Sequence, residues 1–306
     1  MRYGVLRAWV SLSRLPFYTT GILPFLLGSL LAWDITGHLS WSVLGWGVLG
    51  LLLILLATHY SAEYFDYEVD ALAAGLGRNR FSGGSQVLQT GIIPRKHALI
   101  ASFVSLFLAA GVGALLQFYY KTGHFTLPLG IIGVIGGLFY AAKPIQWAYR
   151  SLGEIWIGFC YGWLTLAASY YIQTGGAIPA LVHWAALPIA LSIFNVILIN
   201  EFPDYRADRE AGKLTLVARF GMAKMSRLYA LISAGIWSSY IFSVKMGIPV
   251  KALLFFSPVF ILSIITAFQV LKGGYTDRER LEKICAKTLI VNLGVTTSLM
   301  LAVLVN

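Results

Sequence analysis

Charge is scarce in this chain. Asp, Glu, Lys and Arg make up only 12% of its 306 residues, while 58% are hydrophobic. A water-soluble domain carries about twice that share of charge. So much apolar surface exceeds what a core of this size hides from water, which assigns the excess to lipid. Cysteine is nearly absent. Cys160 and Cys285 stand far apart in apolar runs, which excludes a disulfide framework and a thiolate metal site and leaves two small core residues. No small-residue cleavage pattern precedes or ends the first apolar run, so that run reads as a permanent helix and not as a removable signal. Acidic residues number 13 against 23 Lys and Arg, a net charge of +10. The basic residues are spread over short segments between apolar runs, a pattern that sets membrane orientation and argues against nucleic acid as a partner.

What the chain has instead is long apolar runs. A spanning helix needs about 20 mostly apolar residues. Nine stretches qualify as expected spans: 16–34, 41–62, 97–119, 125–142, 152–173, 180–200, 226–244, 251–271 and 285–305. The fold class expected is all-α, a multi-pass bundle of nine transmembrane helices around a central cavity. Residues 1–306 form a single domain, with no linker or low-complexity segment. With the N-terminus in the cytoplasm, 20 of the 23 basic residues fall on the cytoplasmic side and only Lys121, Lys245 and Lys251 on the other. That asymmetry predicts an inner-membrane protein with its N-terminus inside and its C-terminus outside. The two longest loops, 63–96 and 201–225, both lie on the cytoplasmic side, where long ordered loops tend to carry function.

Eight of the 13 acidic residues sit in two short stretches, Glu63 to Asp70 and Glu201 to Glu210. Each holds an Asp-x-x-x-Asp pair, Asp66 with Asp70 and Asp204 with Asp208, and a spacing of four puts each pair on one helical face. Asn200 continues the second face. The two pairs are offset by 138 residues and each follows an even-numbered span, a weak internal repeat. Carboxylates gathered at a membrane boundary repel one another and need a neutralising partner. Mg²⁺ suits them, since it is held by one or two carboxylates together with substrate phosphate and water. Two facing pairs would clamp a Mg²⁺-bound diphosphate. Arg14, Arg78, Arg80, Lys143 and Lys213 lie at the same ends of the helices and would supply the cations for its phosphates. A single Asp-x-x-x-Asp reads as a solvated helix end more often than as a site. Two at matching positions read as a site.

These residues resemble the UbiA superfamily of intramembrane prenyltransferases, whose pattern is Asn-x-x-x-Asp-x-x-x-Asp after the second helix and Asp-x-x-x-Asp after the sixth. Ala62 stands where the first motif has asparagine. The likeness extends to Ser13-Arg14-Leu15-Pro16, to Tyr140-Ala141-Ala142-Lys143-Pro144, to Tyr149-Arg150-Ser151-Leu152-Gly153-Glu154, and to Gly212-Lys213-Leu214-Thr215-Leu216. The last two stretches look most like the 1,4-dihydroxy-2-naphthoate prenyltransferases of menaquinone synthesis. The resemblance implies transfer of a prenyl chain from a polyprenyl diphosphate to an aromatic acceptor at the cytoplasmic side of the bilayer. It implies Asp66, Asp70, Asp204 and Asp208 as catalytic residues, holding Mg²⁺ with Asn200 and Glu63. Tyr140, Tyr64 and Tyr161 would face the allylic cation, and His59 the acceptor. Glu154 is expected to pair with a nearby Arg or Lys. Other acceptors of the superfamily (4-hydroxybenzoate, homogentisate, a tetrapyrrole, a glycerol phosphate) stay open. A cation-coupled transporter fits less well, because it places such acids near the midplane. A CDP-alcohol phosphotransferase would need an Asp-Gly-x-x-Ala-Arg signature, which is absent.

Overall fold

The computed structural model describes residues 2–76 and 79–305. It is all-helical apart from loops and one isolated bridge between Arg150 and Leu214. In chain order the α-helices are α1 (Arg2–Leu12), α2 (Thr19–Thr36), α3 (Trp41–Phe65), α4 (Tyr67–Leu76), α5 (Arg95–Ala114), α6 (Thr126–Leu138) and α7 (Gly153–Ile157). They continue with α8 (Thr165–Thr174), α9 (Ala180–Asn200), α10 (Tyr205–Glu210), α11 (Leu216–Phe220), α12 (Met222–Lys245), α13 (Lys251–Leu271) and α14 (Arg278–Leu304).

Among the described residues, seven helical stretches are long and apolar enough to cross a bilayer, not the nine expected: Gly4–Thr36, Trp41–Phe65, Arg95–Tyr119, Gly153–Thr174, Ala180–Asn200, Lys251–Leu271 and Arg278–Leu304. The other two expected spans are helical but differ for physical reasons. The 125–142 run yields only the 13 residues of α6, because the chain turns after Leu138 towards the loop that carries Tyr140. The 226–244 run is the 24-residue α12, whose serines lower its apolar content. Ser226, Ser238, Ser239 and Ser243 bond carbonyls of α12 itself, whereas Ser233, Tyr229 and Tyr240 reach neighbouring helices. Asn195 donates to the Tyr229 carbonyl and to Ser233, Tyr229 bonds Thr288, and Tyr240 bonds Ser298. Polar side chains of this kind hold helices together where lipid offers no hydrophobic drive for association.

The inner helices are apolar nearly all round. On α9, the residues Val182, Ala185, Ala186, Ile189, Leu198 and Ile199 are fully buried against α12 and α14. The outer helices carry large apolar side chains on the outside, such as Phe103 and Phe107 on α5 and Leu254, Ile261 and Phe268 on α13. In water such a surface would aggregate; in a bilayer it meets lipid tails. An unexpected helix, α1, precedes the expected 16–34 run and joins it in the Gly4–Thr36 stretch. It packs on α3, with Trp9 edge-on to Tyr60 and Ser13 hydrogen-bonded to the Tyr60 hydroxyl. Arg14, at φ 52°, turns the chain from α1 into α2. Between α7 and α8 the chain takes a wider π-helical path over Gly158–Leu164. Such insertions are frequent at functional sites, and this one carries Tyr161.

Candidate active site

The two aspartate motifs have the same local construction. In the first, the Asp66 carbonyl ends α3 and accepts the Asp70 N–H at 2.8 Å. In the second, the Asp204 carbonyl opens α10 and accepts the Asp208 N–H at 2.8 Å. One helical turn thus sets each pair on a shared face. α4 packs against α10, which brings the two turns together. Asp66, Asp70, Asp204 and Asp208 line one chamber enclosing about 1120 Å³ of space, part of it open to solvent. Arg14, His59, Glu63, Tyr140, Tyr161, Asn200 and Lys213 also line it. All seven were expected at the site.

Lys213 ties the two halves together. Its ammonium lies 2.8 Å from Asp66 Oδ2, and both side chains are largely buried. The Tyr149 hydroxyl donates to Asp66 Oδ1 at 2.8 Å. Lys213 is held by its own loop, whose backbone N–H donates to the Asp208 carbonyl. The residues after it are stapled down by two buried acids. Glu154 Oε1 accepts the Leu216 N–H at 2.7 Å, and Glu201 Oε2 accepts the Val217 N–H at 3.5 Å. Ser151 adds a hydrogen bond to the Leu214 carbonyl. Glu154 is therefore a loop anchor, in place of the Arg or Lys pairing expected. Its carboxyl also lies close to that of Glu201, and burial followed by this neighbour raises Glu201 well above the usual carboxylate range.

A second loop, 79–86, closes the chamber on the other side. The Gly83 N–H donates to Asp204 Oδ2 at 2.9 Å. Gly84, at φ 62°, passes so close to Asp70 that a methyl group there would overlap its carboxylate. Glu63 holds this loop, since its two oxygens accept the Ser85 N–H and hydroxyl, each at 2.7 Å. Both oxygens of this expected metal ligand are thus engaged.

Burial shapes the charge of the site. It raises Asp70 well above its ordinary range, with Asp66 adding to the effect. It raises Asp204, against the Gly83 hydrogen bond. It pushes Asp208 up to about 7 despite Lys213. Burial opposes charge on Lys213, but Asp66 and Asp208 outweigh it and hold the ammonium well above its usual range. Burial also raises the Tyr140 and Tyr149 phenols, so both remain neutral donors.

Three expected residues lie elsewhere. Tyr64 faces away from the chamber and stacks under the Arg95 guanidinium at 4.7 Å. Arg80 is exposed and pairs with Glu282 at 3.1 Å. Lys143 is exposed on the loop after α6 and does not line the chamber. Arg78 lies outside the described residues. Tyr149, Gly83 and Gly84 were not singled out in the sequence as site residues, although Tyr149 stands inside the Tyr-Arg-x-Leu-Gly-Glu stretch and the Gly-Gly pair marks a turn that needs φ > 0.

The donor set fits a hard cation shared with a phosphate. Among the described residues no three acidic, His or Cys side chains stand close enough to cage an ion by themselves. Mg²⁺ does not need such a cage, because it takes part of its coordination from substrate phosphate and water. Asn200 Oδ1 and Asp204 Oδ1 are shielded from solvent without a hydrogen-bond partner. Buried oxygens normally find one, and a cation would supply it.

An apolar channel of about 930 Å³ adjoins the chamber and shares Thr58, Ile157 and Tyr161 with it. Gly130, Gly133 and Gly137 of α6 line it on one side and Ile54, Leu55 and Leu164 on others.

The family model of the UbiA prenyltransferase family matches residues 22–305. The chain belongs to this family. As a membrane prenyltransferase of the UbiA family it has relatives of several kinds. It is 25% identical over 304 residues to a 2-carboxy-1,4-naphthoquinone phytyltransferase of Synechocystis, covering 97% of this chain and 92% of that one. It is 27% identical over 234 residues to the 1,4-dihydroxy-2-naphthoate octaprenyltransferase of Escherichia coli, covering 75% and 73% of the two chains. With UbiA prenyltransferase domain-containing protein 1 of Dictyostelium discoideum it shares 29% identity over 167 residues, and the match spans about half of that relative's length (47%). The fold matches that of a UbiA homolog from Archaeoglobus fulgidus bound to GPP and Mg²⁺, with a TM-score of 0.63 at 17% identity over 93% of this chain and 99% of that one.

Proposed function

We propose that this UbiA-family protein catalyses Mg²⁺-dependent transfer of a polyprenyl chain from its diphosphate to 1,4-dihydroxy-2-naphthoate, a step of menaquinone synthesis. The observation that carries the prenyl-transfer part is the junction of the two cavities, where a carboxylate-lined chamber with Lys213 and Arg14 adjoins an apolar channel and shares Tyr161 with it. An amphiphile with a diphosphate head and a hydrocarbon tail has that shape. The naphthoate acceptor is supported by the bacterial and cyanobacterial relatives, which act on naphthalene-ring acceptors by their names.

In this reading Asp66, Asp70, Asp204 and Asp208, with Asn200, would hold Mg²⁺, whose charge would neutralise the diphosphate and make it a better leaving group. Lys213 and Arg14 bind the phosphate oxygens and stabilise the charge that grows on them as the C–O bond breaks. Tyr161 and Tyr140 present aromatic faces to the allylic carbon, which gains cation character. The electron-rich acceptor ring attacks that carbon as diphosphate leaves. The ring then becomes aromatic again by giving the proton at the attacked carbon to a base or water, and the naphthoate carboxylate leaves as CO2 with a proton taking its place. His59 sits in the chamber wall to orient the acceptor. Glu63 and Glu154 serve by holding the two closing loops. The basic residues gathered at this end of the bundle support a cytoplasmic chamber, with the N-terminus inside and the C-terminus outside.

The test is transfer of labelled prenyl diphosphate by the purified protein, offered a panel of aromatic acceptors, with Asp66→Ala and Asp204→Ala compared at equal folded amounts. Each variant is expected to lose about 10²-fold or more of the rate, the scale of removing a group that stabilises a developing charge. Full activity of both variants with Mg²⁺ chelated would overturn the mechanism. Use of 4-hydroxybenzoate in preference to the naphthoate would overturn the acceptor.

A further inference from the structure

A second polar cavity lies between the end of α13 and the start of α14, outside the chamber. It encloses about 790 Å³, and Phe268, Lys272, Arg280, Lys283, Ile284 and Lys287 are among the residues that line it. Among the described residues no carboxylate lines it. Lys283 is paired with Glu279 on the exposed face of α14. Lys272, Arg280 and Lys287 have no carboxylate partner among the described residues. Lys287 bonds only the Gln269 amide oxygen, and Lys272 sits 4.4 Å over the Phe268 ring. Cations converging on a cavity without an acid repel one another, and an anion relieves that repulsion.

The surroundings select the anion. The last turns of α13 expose Ile264, Ile265, Phe268 and Leu271 just beside the cavity, in a span apolar enough to face lipid. We propose that this cavity binds the headgroup of an anionic phospholipid, with its phosphate on Lys272, Arg280 and Lys287 and its acyl chains along the exposed face of α13. Basic pockets between helices at a membrane surface recognise acidic lipids by this combination of charge and apolar contact. The prenyl diphosphate belongs to the other cavity. In the proposed mechanism its high charge would be matched there by a carboxylate-held cation, for which the described lining of this site has no carboxylate.

The experiment titrates the purified protein, in neutral detergent, with phosphatidylglycerol, phosphatidylcholine or inorganic phosphate and follows the thermal midpoint. Phosphatidylglycerol is expected to raise the midpoint and phosphatidylcholine to leave it unchanged. The triple variant Lys272→Gln, Arg280→Gln, Lys287→Gln should need at least about tenfold more phosphatidylglycerol for the same rise, given the usual attraction of each basic residue to an acidic membrane surface. The milder pair Lys272→Gln, Arg280→Gln, both exposed, should fall between, and serves if the triple variant folds poorly. Lys121→Gln, Lys245→Gln and Lys251→Gln together, at the opposite ends of the helices, should respond like the unaltered protein. The proposal fails if either cavity variant responds as the unaltered protein does, if phosphatidylcholine matches phosphatidylglycerol, or if inorganic phosphate alone gives the whole rise.

Discussion

Lys213 and Asp66 form an ion pair at 2.8 Å across 147 residues of sequence, between the loop that follows the second motif and the first residue of the first. The pair gives Lys213 two tasks in the proposed mechanism: neutralising Asp66 and meeting phosphate. Removing one partner of a buried pair costs roughly 3–5 kcal/mol because a charge is left unpaired; here the Tyr149 hydrogen bond and partial hydration reduce that. Lys213→Ala is therefore expected to lower the thermal midpoint without Mg²⁺, and to recover more of it than the unaltered protein does when Mg²⁺ is added. The KM for prenyl diphosphate should rise at least about tenfold, as loss of one charge-assisted phosphate contact implies. An unchanged KM would remove Lys213 from the diphosphate site.

The glycine pair in the 79–86 loop makes a separate prediction. Gly83 and Gly84 both adopt positive φ, at 66° and 62°, and Gly84 is pressed against Asp70. Gly84→Ala adds about 1–2 kcal/mol of backbone strain and forces either the loop or the carboxylate to move. A displacement of a ligand by about 1 Å costs on the order of 10²-fold in rate. Transfer should fall on that scale with only a modest loss of stability. Gly75→Ala, on the open face of α4 with nothing nearby, should leave transfer unchanged, which separates the effect of position from that of the glycine itself.

The acidity of the chamber sets a pH dependence. Asp208 is pushed up to about 7, and Asp70 and Asp204 are raised as well, whereas an unfolded aspartate titrates near about 3.9. Between those limits the folded chain binds protons that the unfolded chain has released, so stability without metal falls as pH rises through about 4 to 7. Mg²⁺ displaces the same protons, so its affinity rises with pH by about tenfold per unit for each proton released. Thermal midpoints recorded from about pH 5 to about pH 8 should show the gap between samples with and without Mg²⁺ widening. A gap independent of pH would mean that these carboxyls do not bind the ion.

The helical spacing of the aspartates was legible in the sequence because four residues make one turn, whatever surrounds them. Their shared chamber was legible from the matched position of the motifs after two spans. What spacing does not give is the direction in which a residue faces around its helix. Tyr64 follows Glu63 directly, yet one turns into the site and the other out to Arg95. Arg80 and Lys143 were expected at the site because basic residues at one end of the bundle look alike in sequence. The structure separates them by burial: Lys213 is pulled under the surface by two aspartates, while Arg80 and Lys143 remain outside. Among the described residues, seven helices and not nine meet the apolar criterion for a related reason. α12 is long, but it earns its place through interhelical hydrogen bonds from Tyr229, Ser233 and Tyr240, which no apolar count registers.

The channel makes a prediction about chain length. Gly137, Gly133 and Gly130 lie on α6 at steps of four and three residues, so they mark successive turns away from the chamber, about 5 Å apart. A Cβ at Gly133 would meet Leu164 and Ile54 only at ordinary contact, 3.7 and 4.0 Å, so Gly133→Ala should transfer normally. Gly133→Phe instead fills the channel at that depth, because its ring extends beyond those contacts into the open volume. Gly130→Phe fills it one turn deeper. If the tail lies in this channel, Gly133→Phe should reject long polyprenyl diphosphates and keep dimethylallyl diphosphate, while Gly130→Phe should accept a chain longer by roughly one isoprenoid unit before failing. The comparison is made on KM for a ladder of chain lengths, at saturating acceptor, with a shift of tenfold or more expected beyond the cut-off. Equal treatment of every length by both variants would place the tail elsewhere, along another groove between the helices.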